Sequence, residues 1–475
     1  MPLSSPVSIG TQKQLFLDDL LIDRMDNIQR VFPQPTKHPA NPIISRDRPW
    51  DAGRCDLYGS ATYDPVGQRL QVFYSAVSSG DGHDDRLGYA ESCDGGLTWT
   101  KPDFSLIPVE GQLPTNIVMD APSGSFAGPA VFRDEREADP SKRYKMFTSS
   151  YPDRAYLGLP TFIHEQGSNL YADYSVDLPG LGRPGMYVAY SPDGIHWTGG
   201  DAPFSNMISD TGQSVMWDER VSKYVAYVRA RTATGRSVAR MESDDFENWS
   251  APQVVMTAPD YQLYSMGVTP YEGIYLGTPW ICWNLEGDTG PVLSPEIAFS
   301  RDGIYWQRPN PGVEFIPTGA AGSADELQIR MASSLVVLDD QILFFYGQTE
   351  QPHTKVDMQI DIGMASLRRD GFAAMVGSEE AGTLRTNPLI FSGGRLCLNL
   401  ETEPSGSVVV RLLKADTARP VASSHPLSGD SICQDVPWLG DVNLADWAGS
   451  PVWLEFALSG AALYAFQFVE ASSVQ

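Results

Sequence analysis

Four segments, Glu91–Trp99 (ESCDGGLTW), Tyr190–Trp197 (YSPDGIHW), Glu242–Trp249 (ESDDFENW) and Phe299–Trp306 (FSRDGIYW), share one pattern: a serine, an aspartate, a tight turn and a tryptophan. Each follows a short run of strand-forming residues, RLGYA, GMYVAY, SVAR and EIAF. Asp closes turns by bonding its own backbone, Gly accepts positive φ, and a Trp past the turn offers a large apolar body for packing between sheets. The pattern reads as a hairpin. Asp94, Asp193, Asp244 and Asp302 read as turn formers rather than catalysts.

The flanking sequence repeats as well. YGSATYDPVGQRLQVFYSA, AGPAVFRDEREADPSKRYKMFTSS, QSVMWDERVSKYVAYVRA and YSMGVTPYEGIYLGTPWICW precede the four boxes, and MASSLVVLDDQILFFYGQ precedes a fifth, degenerate one, IGMASLRRDGF. Each is an apolar strand, a polar turn and a second apolar strand. With the box hairpin, every unit holds four strands, which is one propeller blade. After Glu380 the pattern changes to alternating strands separated by Gly/Pro turns. The expected fold is therefore all-β, a five-bladed β-propeller followed by a small C-terminal β-sandwich. Residues 57–380 form the propeller, 381–475 the sandwich, and 1–56 a segment packed on one of them through LFLDDLLID.

Composition agrees. The chain has 475 residues with 43 Gly, 36 Pro and 11% aromatics, which favours short strands and many turns. The 34 Lys+Arg stand against 59 Asp+Glu, a net charge of −25. Such a chain repels phosphate backbones and anionic lipid, so nucleic acid and membrane are not expected partners. The 5 cysteines are scattered without CxxC, which fits free thiols. The N-terminus reads as lacking a secretion signal, so the expected location is cytoplasmic, or secreted/periplasmic where a signal has been removed. The chain is compatible with a homo-oligomer.

In a propeller the first strand of each blade lines the central channel, and ligands bind where those strands begin and at the loops joining the second and third strands. Acids stand before all five inner strands: Asp56, Asp120, Asp210, Asp260 and Asp325-Glu326. Crowded carboxylates raise one another's pKa, which separates an acid from a base. The loops add His83, a long insertion carrying His164 and Glu165, then Arg229 and Arg231, Trp280, Trp283 and Glu286, and finally Glu350 and His353. Rings that stack on a sugar face beside groups that bind its hydroxyls are what a carbohydrate site needs.

The five-blade layout and ring of acids resemble the propeller glycoside hydrolases related to arabinanases, invertases and levansucrases. LFLDDLLID, NPIISRDRPWD, YGSATYD, SDTGQSVMWDERVSKYVAYVR and the C-terminal GRLCLNL, GSVVVRLL, VPWLG and LYAFQF look closer still to a bacterial glycosyl-hydrolase-like group. The resemblance implies hydrolysis of an oligo- or polysaccharide, with a furanoside as the implied type. It also implies three carboxylates from different blades. By position these are Asp56 as base or nucleophile, Asp120 or Asp210 as the orienting Asp, with Asp210 preferred because SDTG stands just before its strand, and Glu326 as the acid, with Glu286, Glu350 and Glu165 behind it. Asp120, Asp260, His83, His164, Arg231, Tyr264 and Trp283 are the expected substrate contacts. No cofactor is required, and Ca²⁺ in the channel suits the carboxylates and carbonyls expected there. The chain departs from the resembled families in lacking a WMNDPN-type opening and in having FRDERE in place of an RDP motif.

Three alternatives compete. A sialidase-type enzyme would grip a carboxylate with Arg54, Arg133, Arg231 and Arg330. A lyase on an acidic sugar would use His83, His164 or His353 with Tyr264 for proton transfer. The third is a carbohydrate-binding protein without catalysis.

Overall fold

The computed structural model describes residues 5–78, 85–151, 183–232, 235–258, 261–283, 292–355 and 357–470, together with the backbone of strands Phe162–Gln166 and Asn169–Asp173. The fold is all-β: among the described residues the helical elements are short 3₁₀ turns such as Pro49–Asp51 and Leu444–Trp447. The chain forms two compact units. One comprises residues 35–337 and 342–366, the other residues 1–34, 338–341 and 367–475.

The larger unit holds four hydrogen-bonded sheets. The first joins Arg54–Asp64, Arg69–Val77, Arg86–Ser92 and Ile117–Met119 in sequence order. The second joins Ser125–Arg133, Tyr144–Tyr151, Gly185–Ser191 and Thr198–Gly199. The third is built on Ser214–Asp218, Lys223–Thr232, Gly235–Ser243 and Gln253–Met256, with Asn169–Asp173 bridged to it by the pair Leu170 and Arg231. The fourth network holds two antiparallel groups, one on Gln262–Tyr271 and Ile274–Trp283, the other on Gln328–Met331, Gln341–Thr349 and Asp361–Arg368. A parallel bridge between Leu293 and Gln328 links the two groups. The short strand Thr36–Lys37 pairs with Ala365 and Ser366, adding an outer strand from early in the chain to the last group.

The Ser-x-Asp boxes make the hairpins. Ser191 Oγ accepts the Gly194 N–H at 2.9 Å, and Asp193 Oδ1 accepts the N–H groups of Ile195 and His196, both at 2.8 Å. The Ser300/Asp302 turn repeats this, with Ile304 and Tyr305 donating at 2.8 Å. In the third box the turn-forming acid is Asp245, which accepts from Glu247 at 2.9 Å and Asn248 at 2.7 Å. This corrects the assignment of that role to Asp244, whose side chain is 83% exposed and faces Lys223. The Ser-x-Asp spacing from Ser243 selects Asp245, and Phe246 takes the positive φ (69°) that Gly takes in the other boxes.

Each box Trp packs on the unit before it. Trp197 lies 6.3 Å from Phe73, Trp249 lies 4.7 Å from Phe147, and Trp306 lies 5.7 Å from Tyr227, all edge-on. Trp99 packs in the same way on Phe345 of the last group, at 5.6 Å. The partners are all middle-strand residues. Apolar cores between consecutive sheets surround these contacts, such as Val131, Met146, Phe73 and Tyr89 between the first and second. Edge-to-face aromatic pairs add ~0.5–1.5 kcal/mol each beyond their buried area.

The smaller unit is one network of eleven strands. Two long strands, Arg395–Lys414 and Val452–Val469, pair along nearly their whole length. The sequence suggests separate strands divided by turns here, but Gly460 (φ 50°) lets the second run on, because Gly tolerates that conformation. Val7–Gly10, Gln14–Leu15, Ile22–Asp26 and Ile28–Val31 also belong to this network, so LFLDDLLID packs with the C-terminal strands. Phe16, Leu21, Phe456, Leu458, Phe466 and Phe468 lie in its core.

Candidate functional site

In the larger unit the first strands of several sheets bring buried charged groups together. Asp56 lies inside strand Arg54–Asp64 and Arg330 inside Gln328–Met331, whereas the sequence pattern starts those strands at Leu57 and Met331. Arg330 Nη1 donates to Asp56 Oδ2 at 2.6 Å, and the two side chains are 1% and 3% exposed. Arg330 also donates to Gln328 Oε1 from Nε (3.1 Å) and Nη2 (2.8 Å). Burying two charges is costly unless they are paired and further hydrogen-bonded, and this pair is both. Asp56 Oδ1, however, is buried without a hydrogen-bond partner among the described residues, as are Thr211 Oγ1, Gln213 Oε1, Trp280 Nε1 and Gln348 Oε1. Unsatisfied buried groups are uncommon in folded proteins and concentrate where a fold serves something besides stability.

A chain of contacts runs on from Arg330. His353 Nδ1 lies 3.3 Å from Arg330 Nη2 and must accept, because a guanidinium can only donate. The neutral imidazole therefore carries its proton on Nε2. Burial pushes the His353 pKa down to about 3, helped by the positive charges of Arg330, Arg236 and Arg229. The His353 ring stands edge-on to Tyr264 at 4.8 Å, and Tyr264 stacks on Trp280 at 5.8 Å. The Tyr264 and Tyr58 hydroxyls are hydrogen-bonded at 2.9 Å. Burial drives the Tyr58 pKa well above its ordinary value, so that hydroxyl stays protonated.

The guanidinium of Arg229 sits 4.4 Å from the Tyr264 ring centroid and donates to the Tyr264 carbonyl at 3.1 and 3.2 Å. Its Nη1 lies 3.6 Å from Asp210 Oδ2, and the Asp210 side chain is 47% exposed. Arg236 lies 5.5 Å from the Tyr264 ring. On the same side Arg54 pairs with buried Asp85 at 3.7 Å, and Asp85 also accepts from Ser125 Oγ at 2.8 Å. Loss of water contact, with the negative charges of Asp210 and Asp85, holds the pKa of half-buried Tyr151 well up.

Of the residues expected from sequence, Asp56, Asp210 and Tyr264 meet in this cluster, and Arg231 lies beside it, paired across its hairpin with Arg236. Glu326 stands just before Gln328 and accepts the Gly322 N–H at 2.7 Å. Asp120 is an exposed partner of Arg86 at 3.1 Å. Trp283 donates to Ser294 Oγ at 2.7 Å and packs on Tyr261 at 5.0 Å, a packing role. His83, Asp260 and Glu286 lie outside the described residues, as do the side chains of His164 and Glu165. Of the four arginines of the sialidase alternative, Arg54, Arg231 and Arg330 are in or beside the cluster, while Arg133 pairs with Glu135. The sequence reading did not pick out Tyr58 or Arg236. Tyr58 is signalled only by its period of two from Asp56, and Arg236 only by its place across a short turn from Arg231.

Among the described residues no group of three or more His, Cys, Asp or Glu side chains converges as a metal site. The donors gathered here are mainly guanidiniums, which do not suit the oxygen-rich shell of Ca²⁺.

No family model matches the chain, and no curated protein matches it. Solved structures do. A glycosyl hydrolase from Bacteroides ovatus is 15% identical, with a TM-score of 0.46 over 71% of this chain and 94% of that one. A protein of the GH130 family, described as containing glycoside hydrolases that target β-1,2 mannosidic linkages in Candida mannan, is 16% identical, with a TM-score of 0.44 over 70% and 93%. An N-acetylgalactosamine deacetylase from F. plautii is 13% identical, with a TM-score of 0.41 over 78% and 96%. All three TM-scores lie below 0.5, and the functional reading rests on this chain's own residues.

Proposed function

We propose that the chain is a glycoside hydrolase whose larger unit is a five-bladed β-propeller and whose smaller unit is a β-sandwich. The packing of each box Trp on the preceding unit, with Trp99 on Phe345 of the last group, supports five units in a ring. The observation that carries the activity is the run of contacts from the buried Asp56–Arg330 pair through His353 and Tyr264 to Arg229. It ends at Asp210, a half-exposed carboxylate. Asp210 is the carboxylate that acts on substrate, as nucleophile or as base for water. Asp56 is a positioning residue, because it is 3% exposed and holds Arg330. Glu326 is the acid: it stands in the turn that enters the strand carrying Gln328 and Arg330. Half-buried Tyr58 offers its ring edge and hydroxyl to the sugar, and buried Tyr264 holds that hydroxyl in place. Separation of the two working carboxyls sets stereochemistry, with retention near ~5 Å and inversion at ~6.5–9.5 Å. The lyase alternative based on His353 is not favoured, since an imidazole with a pKa near 3 is a poor base at neutral pH.

The test is mass spectrometry of products after incubation with a broad oligosaccharide panel, using the wild type, Asp210→Asn and Glu326→Gln. Fragment pairs that have gained one water, lost in both variants, support the assignment. Unsaturated fragments without added water overturn it in favour of elimination.

A further inference from the structure

The third sheet presents an unusual set of like charges. Arg231 lies directly across from Arg236 in the hairpin of Lys223–Thr232 and Gly235–Ser243. Arg229 is two residues before Arg231 and so shares its face. Like charges directly opposite on an antiparallel pair are destabilising. Among the described residues the only carboxylate ion-paired with this trio is Asp210, 3.6 Å from Arg229. Arg236 has a buried Nε without a hydrogen-bond partner. Its pKa is pulled below the usual guanidinium value by burial, Arg229 and Arg231. A chain with net charge −25 has many acids available to neutralise such a hairpin, yet the guanidiniums of Arg229 and Arg236 lie over an aromatic ring, Tyr264, and Arg231 is exposed to solvent.

We infer that Arg231 and Arg236 form a receptor for a carboxylate on the substrate, so that the sugar bound at this site is acidic, of the uronic-acid type. This rests on the glycoside-hydrolase reading of the same site. A guanidinium presents a planar fork of donors that matches a carboxylate in two parallel hydrogen bonds. An arriving carboxylate relieves the repulsion between the two arginines and brings its sugar to the side of the cluster where Asp210 is open to solvent. The anion also accounts for the buried Nε of Arg236, which gains an acceptor.

Isothermal titration calorimetry tests this without requiring turnover. The probes are uronate oligosaccharides of galacto, gluco, manno and gulo configuration, each matched with its neutral counterpart of equal length. The proteins are the wild type, Arg236→Gln, Arg231→Gln and Arg236→Lys, with circular dichroism confirming the fold of each. At least one acidic probe is expected to bind tenfold or more tighter than its neutral match. That preference falls at least tenfold in Arg236→Gln, falls in Arg231→Gln, is partly kept in Arg236→Lys, and weakens as salt is raised. The inference is overturned if neutral probes bind as tightly, if Arg236→Gln leaves the preference intact, or if no acidic probe binds. Asp210-dependent hydrolysis of a neutral sugar with no uronate binding would overturn this inference and leave the hydrolase standing. Arg236-dependent uronate binding with no hydrolysis of any sugar would support this inference and overturn the hydrolase.

Discussion

Replacing Asp56 with Asn tests whether the buried charge pair holds the larger unit together. The oxygen–nitrogen distance is 2.6 Å, and the two side chains are 1% and 3% exposed. At an effective dielectric of about 20, the Coulomb term is ~6 kcal/mol. Desolvation of both ions offsets much of it, so the net worth of the pair is smaller than the cost of breaking it. Removing only the carboxylate leaves Arg330 charged and buried, held by the neutral acceptors Gln328 and His353, and costs ~3–5 kcal/mol. Arg330→Met leaves the carboxylate stranded instead and also strips Gln328 Oε1 of two donors, for a similar or larger loss. The double variant removes both charges, so its loss falls well short of the sum, with a coupling of ~2–3 kcal/mol. Equilibrium urea unfolding read by Trp fluorescence measures this, from midpoint shifts at unchanged slope. Trp280 reports locally, lying 5.6 Å from Tyr58. A loss below ~1 kcal/mol for Asp56→Asn, or additivity within ~0.5 kcal/mol, would refute the reasoning.

Two further outcomes follow from the packing and the charges. The His353 pKa is lowered from 6.5 to about 3, so the unfolded chain binds a proton there that the folded chain does not. Its contribution is fully present above pH 6.5 and is lost as pH falls from 6.5 toward 3, at up to ~1.4 kcal/mol per pH unit. His353→Gln should flatten the stability profile across that window, and superimposable wild-type and variant profiles would count against a buried neutral imidazole. Gly277→Ala puts a methyl 2.6 Å from the Trp306 ring, whose edge-on seat on Tyr227 it would disturb. A loss of ~1–3 kcal/mol is expected in thermal or urea unfolding, and an unchanged midpoint would show that the Trp seat gives way without cost.

Much of this architecture is local, and local chemistry is legible in a sequence. Ser191-x-Asp193 and Ser300-x-Asp302 form their turns from atoms within a few residues, so the hairpins and their Trp residues could be read directly. The spacing from Ser243 even contained the information that Asp245, not Asp244, closes the third turn. The strand beginnings were less legible. Apolar patterning stops at a charged residue, so Asp56 and Arg330 read as lying outside their strands. Only a partner from a different sheet makes it possible to bury them inside.

The candidate site shows the same division. Asp56, Asp210 and Tyr264 were singled out by their places in the repeated units, and the structure brings these three together. Which charges neutralise one another was decided in three dimensions. Asp56 and Arg330 are 274 residues apart in sequence, as the hydrogen bond between them records, and Tyr58 reaches Tyr264 across 206. Such pairings depend on how successive sheets are set against one another, through the Trp contacts and the cores between them, and no pattern within one unit encodes them. The sequence by itself determined the strand-and-turn units, because their hydrogen bonds are short-range. Tertiary structure alone decided that Asp56 is a buried support, that Asp210 stays open to solvent, and that Arg231 and Arg236 stand opposite each other with no carboxylate ion-paired to either among the described residues, because burial and charge pairing are properties of neighbours brought together by the fold.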